Sequence, residues 1–331
     1  MNLSIWATYK NGAGNYMLQD ISPMLKTVTS SRDKSQVARK FDVTYAYPIN
    51  DKNQPRFQVG LGTYISIKLD QKEIFRGWVI YRSLNSESEE MSFTAYDCLY
   101  YLTKSKVTKN FKSLESEYCV ENIAKELNMP YNIIPTTGIK ITRLITGEPA
   151  YQAIMEIYSE VSKQNKKQYI PYAELDMLSI MEKGQIIDGM RLAPEENMQG
   201  STYTDSLDDM VNKVLVYDSS GNYIGEVSND ADVKDFGIFQ DNYQKEDNVD
   251  WKTGANNCLK PFTNEFTVDV LGNWKYQTGY AITVQIPYID KYQNTVVYID
   301  ADTHTWNLEE GLYTCQLTLN TQNTMDAGSG S

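Results

Sequence analysis

Histidine occurs once in the 331 residues, as His304 in the segment DTHTW, with Asp302 two positions before it. An imidazole beside a carboxylate is the smallest arrangement that could shuttle a proton. The segment alternates like a strand, however, and no second histidine exists to share a metal. A structural hydrogen bond near the strand end is the better reading, and His304→Gln is expected to leave assembly almost unchanged.

Two other stretches have the composition of chemistry without its spacing. DADVKDFG (230 to 237) spaces acids like a calcium loop, but Lys234 stands where an oxygen ligand is needed and no closing glutamate follows. A solvated acidic loop results. STYTDSLDD (201 to 209) offers hydroxyls and carboxylates without a base, so its Ser and Asp are expected to cap a short turn before a strand at 213. The four cysteines, Cys98, Cys119, Cys258 and Cys315, lie far apart with no C-x-x-C pair, which predicts reduced, mostly buried thiols. No cofactor site and no catalytic residue emerge.

Two residues in the first third have structural readings. Gly77 interrupts an apolar strand, where glycine marks a bulge or a close backbone approach that bends a hairpin. Asp97, directly after a strand and before CLYYL, is placed to cap a short helix. Trp78, Tyr81, Tyr96, Tyr100 and Tyr101 could form a sugar platform, but core and interface packing is the commoner use of such rings.

The elements that carry these residues are mostly strands. Period-two alternation marks Phe41 to Tyr47, Thr63 to Leu69, Ile74 to Arg82 and Met91 to Tyr96, with turns at 11 to 15 and 50 to 55. Helical spacing takes over at Cys119, Val120, Ile123, Ala124 and Leu127, and again from Ala150 to Val161 behind Pro149. QYIPYAE and DMLSIMEKG read as a hairpin. Strands resume at 213 to 217, turn through DSSGN, pass a polar stretch at 228 to 250 and a helical or irregular segment near 251 to 259, and end with a β block from 265 to 319.

Forty-three acidic against 31 basic residues give a net charge of -12, which disfavours nucleic-acid and anionic-membrane partners. No apolar run is long enough to span a bilayer, and MNLSIWATYK lacks the pattern of a signal peptide. Tyrosines (25) outnumber phenylalanines (9), as suits sheets and wet interfaces. The expected division is 1–107, a first β domain; 108–200, an α+β insert; and 201–331, a second β domain with a flexible tail.

The first and last β blocks resemble each other. VGLGTYISIKL (59 to 69) aligns with QTGYAITVQI (277 to 286), IFRGWVIYRS (74 to 83) with TVVYIDADTHTW (295 to 306), and EEMSFTAYD (89 to 97) with EGLYTCQLTL (310 to 319). The fold class is therefore mainly β with an α+β insert, and the two β blocks, each a small barrel or sandwich, suggest an internal duplication. Gly272 and Gly279, in LGNWKYQTGY, join Gly77, Asp97 and His304 as the structural motif positions. The acidic tip SESEE (86 to 90) is expected to face solvent at a barrel rim or to contact a neighbouring ring.

In this order, RKFDVTY, EIFRGWVIYRS, FTAYDCLYYL, DDMVNKVLVY, VDVLGNWKYQTGYAITVQIP and YIDADTHTWNLEEGLYTCQLTL resemble the baseplate hub proteins of contractile phage tails and phage-tail-like bacteriocins, over roughly residues 16 to 320. The resemblance implies two tube-like small β-barrel domains related by internal duplication, in a homotrimer, without catalysis, whose six similar domains meet a sixfold tail tube and narrow to a threefold spike. It also implies contacts with tail tube, spike, baseplate wedge and tape-measure proteins, DNA passing only through the lumen, no stable membrane association, and assembly in the bacterial cytoplasm into the baseplate of the particle. Acidic groups facing that lumen would keep DNA from sticking. Two rivals remain: a tyrosine-rich module binding cell-wall glycan, and a tail-associated peptidoglycan hydrolase.

Overall fold

In the computed structural model, the described residues are 2–326 apart from 11, 12, 36, 52, 54, 55, 58 and 247–249. The chain forms two compact units, 1–200 with 268–331, and 201–267. No helix among the described residues is long and apolar enough to cross a membrane.

The first β block contains β1 (Leu3–Lys10), β2 (Tyr16–Asp20), β3 (Leu25–Asp33), β4 (Lys40–Ala46), β5 (Tyr64–Leu69), β6 (Lys72–Asn85) and β7 (Glu90–Tyr96). Ile5, Val28, Phe41, Val43, Ile65, Ile67, Phe93 and Ala95 alternate along these strands and are buried. This is the period-two pattern turned into one covered face. At the tip between β6 and β7, residues 86 to 88 are exposed, and Glu89 accepts hydrogen bonds from Asn50.

After α1 (Leu99–Lys104) comes the insert: β8 (Lys106–Glu115), α2 (Ser116–Glu126), β9 (Lys140–Pro149), α3 (Ala150–Asn165), β10 (Tyr169–Glu174) and β11 (Met177–Glu182). Both helices lie where the periodicity put them, and β10 and β11 form the expected hairpin. The strands β8 and β9 were not expected. Their sequences mix Lys, Thr and Asn with few inward apolar residues, which hides alternation.

These two strands expose a second, smaller repeat. An offset of 34 residues superimposes Lys106–Glu126 on Lys140–Glu160, and the two strands share one burial pattern. Buried Val107, Phe111, Val120 and Ile123 become Ile141, Ile145, Ile154 and Ile157. The ion pair Lys109–Glu126 becomes Arg143–Glu160. In the antiparallel ladder, Lys106 pairs with Pro149 and Glu115 with Lys140, while Asn110 faces Leu144, its own equivalent. A pseudo-twofold axis thus passes through the middle of the ladder, and a register irregularity recurs on each side of it.

The chain then enters β12 (Gln185–Leu192) and β13 (Met198–Ser206). Residues 201–267 hold β14 (Lys213–Tyr217), β15 (Tyr223–Ser228), α4 (Asp230–Phe236), β16 (Gln240–Gln244) and α5 (Trp251–Cys258). β14 pairs antiparallel with β15 and parallel with β16, over a small core of Val214, Val216 and Ala255. Asp218 accepts from the amides of Ser220 and Asn222 in the DSSGN turn, as its sequence implied. Within the polar stretch, residues 230–236 and 240–244 form regular elements that its polarity did not announce. α4 buries no residue, so it carries no apolar stripe to read, and its start is fixed by the Asn229 side chain accepting from the Asp232 amide.

The last block contains β17 (Thr263–Leu271), β18 (Tyr280–Val284), β19 (Thr295–Asn307) and β20 (Leu312–Asn320). Its strand order, β13-β17-β20-β19-β18, repeats β3-β4-β7-β6-β5 of the first block. The three aligned segments are the meanders β5-β6-β7 and β18-β19-β20, each with a long middle strand of 14 or 13 residues. The mainly β class with a helical insert is what the chain adopts. The strands of the two blocks run in one thirteen-stranded sheet, with no closed barrel among the described residues. The reason is the length of β19: on one edge, residues 295–298 pair with β18, and residues 301–307 pair with β3. A strand that serves two neighbours fuses the blocks.

Within the insert, the equivalents Ser113 and Gly147 both have positive φ, 53° and 66°. Ser113→Gly is expected to stabilise the chain by about 0.5–1 kcal/mol, and Gly147→Ser to destabilise it by a similar amount. Urea melts of the two variants would check this; a stabilising Gly147→Ser would remove strain as the explanation.

Candidate functional site: the ionic seam between the β blocks

The join of β3 and β19 is where the buried charges collect. In its register Asp302 faces Arg32, and His304 faces Ser30. Inward positions along β19 are Asp302, His304 and Trp306, all buried. An acid on an inward position needs a buried cation, and Arg39, just before β4, supplies it.

Arg39 grips Asp302 with two bonds, Nη1 to Oδ2 at 2.6 Å and Nη2 to Oδ1 at 2.9 Å. Asp302 Oδ1 also accepts from the amide and the hydroxyl of Thr278, at 2.6 and 2.7 Å. Arg39 donates further to Ser30 Oγ and lies 5.0 Å from the centroid of the Trp274 ring. Burial opposes ionisation of Asp302, but the Arg39 guanidinium, with the hydrogen bonds around it, holds the carboxyl far below its ordinary range. Arg39 is likewise pushed down by burial and pulled up, on balance, by Asp302. The charge pairing and the hydrogen bonds from Thr278 and to Ser30 are what allow the pair to be buried.

Around the pair the network reaches three parts of the compact unit. Arg32 donates to the carbonyls of Val37 and of Pro171 in the insert hairpin; burial and the neighbouring Arg39 lower its pKa to about 10. The Thr278 hydroxyl also lies 3.0 Å from the Arg32 carbonyl, so its one proton is shared between that oxygen and Asp302 Oδ1. A second buried cation, Lys183 at the end of β11, contacts Asp300 at 2.6 Å and the Thr324 carbonyl. Asp300 also binds Lys34 at 2.7 Å.

His304 is fully buried. Its Nε2 lies 2.8 Å from the Tyr276 carbonyl and 3.4 Å from Asp302 Oδ2, and its Nδ1 is 2.8 Å from the Tyr313 hydroxyl. A carbonyl only accepts, so Nε2 carries a proton. The ring sits in an aromatic cluster with Trp274, Trp306 and Tyr313. The expected structural hydrogen bonds are present, three residues before the end of β19, and the ring is fully buried.

The glycines make room for neighbours. A Cβ on Gly77 would fall 2.2 Å from the Tyr96 carbonyl oxygen and 2.5 Å from the Phe75 ring; on Gly272 it would fall 2.2 Å from the Tyr313 ring. Gly77 itself is regularly paired with Ile65, and the ladder irregularities flank it, between Ile67 and Lys68 and between Val79 and Tyr81. Gly279 has φ of +99°, and its equivalent Cβ would meet Ile170 at 3.0 Å. Asp97 accepts from the Leu99 amide at the start of α1 and from the Arg39 amide, both at 3.0 Å. It therefore ties the helix to the same seam. The sequence placed His304 and Asp97 in separate motifs; the fold brings both beside Arg39. Arg39, Thr278, Lys183 and Asp300 were not singled out, and only the inward parity of Asp302 could have announced a buried cation.

The remaining sequence candidates stay apart from the seam. DADVKDFG is α4 and its acids bind Ser228 and Asn229; no group of ligand residues able to hold a metal occurs among the described residues. The Asp208 amide donates to Ser206 Oγ, capping a turn. All four thiols are free, and only Cys258 is part-exposed. Tyr96 stacks on Tyr100 at 4.5 Å and Trp78 meets Tyr101 at 5.6 Å.

A repeated β meander held together at a buried ionic seam, with a strand–helix insert, is the fold of a phage tail protein: the solved 43 kDa tail protein of prophage MuSo2 from Shewanella oneidensis matches with a TM-score of 0.67, covering 98% of this chain and 100% of that one at 12% identity. The chain belongs to the YQBQ-like family, whose model matches residues 28–320. Two Bacillus subtilis (strain 168) proteins are similar to it. YqbQ, described as uncharacterized, is 25% identical over 75% of this chain and 78% of its own length. The phage-like element PBSX protein XkdQ is 22% identical over 92% and 94%.

Two measurements test the seam. Arg39→Met should cost about 3–5 kcal/mol by leaving Asp302 buried and unpaired, and adding Asp302→Asn, which removes the charge but keeps an acceptor for Thr278, should restore part of that. A double variant less stable than Arg39→Met would refute the orphaned-charge account. Asp97 behaves oppositely to Asp302: burial raises its carboxyl to about 6 from 3.8, against the pull of the Arg39 amide and the Arg32 charge. A raised folded value means that ionisation costs stability, so wild type should lose up to about 3 kcal/mol relative to Asp97→Asn as pH rises from about 3 to about 7. Denaturant midpoints across that window would show a constant gap if Asp97 were unperturbed.

Proposed function

We propose that this chain is a non-enzymatic baseplate hub of a contractile tail or tail-like particle, acting as a homotrimer. The carrying observation is the repeated strand order, β3-β4-β7-β6-β5 and β13-β17-β20-β19-β18, within one chain. Three chains then present six similar surfaces, which lets a threefold object meet a sixfold tube. The division 1–107, 108–200 and 201–331 belongs to this reading as repeat, insert and repeat.

Support comes from the tail-protein fold and from a relative in a phage-like element. In this role the partners are the tail tube, the spike, the baseplate wedge and the tape-measure protein, and the chain is assembled in the bacterial cytoplasm before joining the particle. Charge supports a lumen that passes DNA without binding it. Thirteen acidic and five basic residues in 201–267 account for -8 of the net -12, so orientation of that unit decides how acidic the lumen is.

Mass measurement of the purified chain, alone and with its spike, followed by electron-microscope class averages is the test. The expected result is a trimer with a central hole, of pseudo-sixfold outline, whose channel wall is not lined by Lys and Arg. A chain that stays monomeric with the spike and sediments with cell wall would replace the hub by the glycan module.

A further inference from the structure

Next to the ionic seam the structure keeps a cavity of about 330 Å³, where β3, the start of β6, the β10–β11 hairpin and the segment before β18 converge. Ile74, Tyr172, Trp274 and Tyr280 give it apolar and aromatic walls. Two cations also line it, Arg32 of β3 and Lys72 of β6. Arg32 is 7% exposed and Lys72 is open to solvent, which puts one at the buried end and the other at the mouth.

Arg32 is a buried charge without an acid of its own. Its Nε and Nη2 donate to the carbonyls of Val37 and Pro171, and among the described residues Nη1 has no hydrogen-bond partner. The acids whose charge reaches it are committed elsewhere: Asp302 to Arg39 and Thr278, Asp97 to the amides of Arg39 and Leu99. A guanidinium held in the interior by neutral acceptors is unfavourable until an anion completes its fork. The two carboxylates of the lining do not serve, because Glu73 is held by Arg76 and Ser66, and Glu174 accepts from Asn132. Their charges do select against a doubly charged phosphate and leave a single carboxylate as the matching anion. We infer that this cavity binds a monocarboxylate carried on a flat apolar body, the carboxylate meeting Arg32 Nη1 with Lys72 assisting from the mouth, and the body lying against Tyr172, Trp274 and Tyr280. The volume is at the small end of ligand pockets and suits one ring with its carboxylate. A free aromatic acid and the C-terminal aromatic residue of a partner polypeptide both offer that chemistry. Nothing in this site requires the trimer.

The probe is para-fluorobenzoate, titrated into the full-length chain and followed by fluorine NMR, with para-fluorobenzamide as the neutral control. Saturable binding of the acid is expected, about tenfold tighter than that of the amide. Ala173→Trp, which fills the cavity and leaves Arg32 in place, should abolish it, as should Arg32→Met, and Lys72→Glu should weaken it about threefold. Thermal melts establish which variants are folded, and Ala173→Trp carries the test if Arg32→Met is not. Equal binding of the amide, binding unchanged in Ala173→Trp, or no binding of the acid to wild type would each overturn the inference. Competition by acetyl-Gly-Gly-Phe with a free C-terminal carboxylate, but not by its C-terminal amide, would assign the site to a chain terminus; binding of the acid without such competition would assign it to a free acid.

Discussion

One pair of side chains, Arg39 and Asp302, lies 263 residues apart in sequence and sits at the line where the two β blocks meet. A carboxylate buried on β19 is tolerable only because a guanidinium arrives from the first block with matched geometry, and because Thr278 fills the remaining lone pairs. Misplacing either block by a strand register would strand a charge in the core. The pair is thus weak evidence of net stability and strong evidence of specificity: it selects the one alignment of β3 against β19 that the apolar residues alone would not enforce.

Around this constraint the aromatic core crosses the seam. Trp306 of β19 stacks against Tyr313 at 4.7 Å and reaches Phe41 of β4 at 6.1 Å. Trp306 belongs to the same apolar cluster as Ile5, Val43 and Phe93. Trp306 thus adds a ring from the last block to the core of the first, while Phe266, Val268, Val270, Ile282, Val297 and Leu317 are buried within the last block itself. The insert is different. Its helices and the β8–β9 ladder form a separate cluster, touched by Tyr96 and Tyr100 of the first block, and its own 34-residue repeat is arranged about a pseudo-twofold. Duplication operates at two scales here: the β blocks join edge to edge in one sheet, and the insert's two strand–helix units share one core.

Repeated topology gives two similar blocks without needing sequence identity. The blocks share strand order and the long middle strand, yet differ in one connection: the acidic unit 201–267 takes in most of β13, the start of β17 and everything between them, while the corresponding β3–β4 connection is short.

Much of this was legible in the residues themselves. Alternation located β4 to β7 and β18 to β20, three-four spacing located α2 and α3, and turn chemistry located the 218–222 hairpin, because each signal arises from neighbours in sequence. The aligned meanders were legible too, since strand lengths and turns survive divergence better than identities. The polar strands β8 and β9, and α4, which buries no residue, were not legible, because none has an apolar face long enough to set a period. The fusion of the blocks into one sheet, the meeting of Arg39 with Asp302, and the sealing of His304 between rings were decided by tertiary structure alone. Local pattern states which face of a strand is buried; only the pairing of distant edges states what buries it.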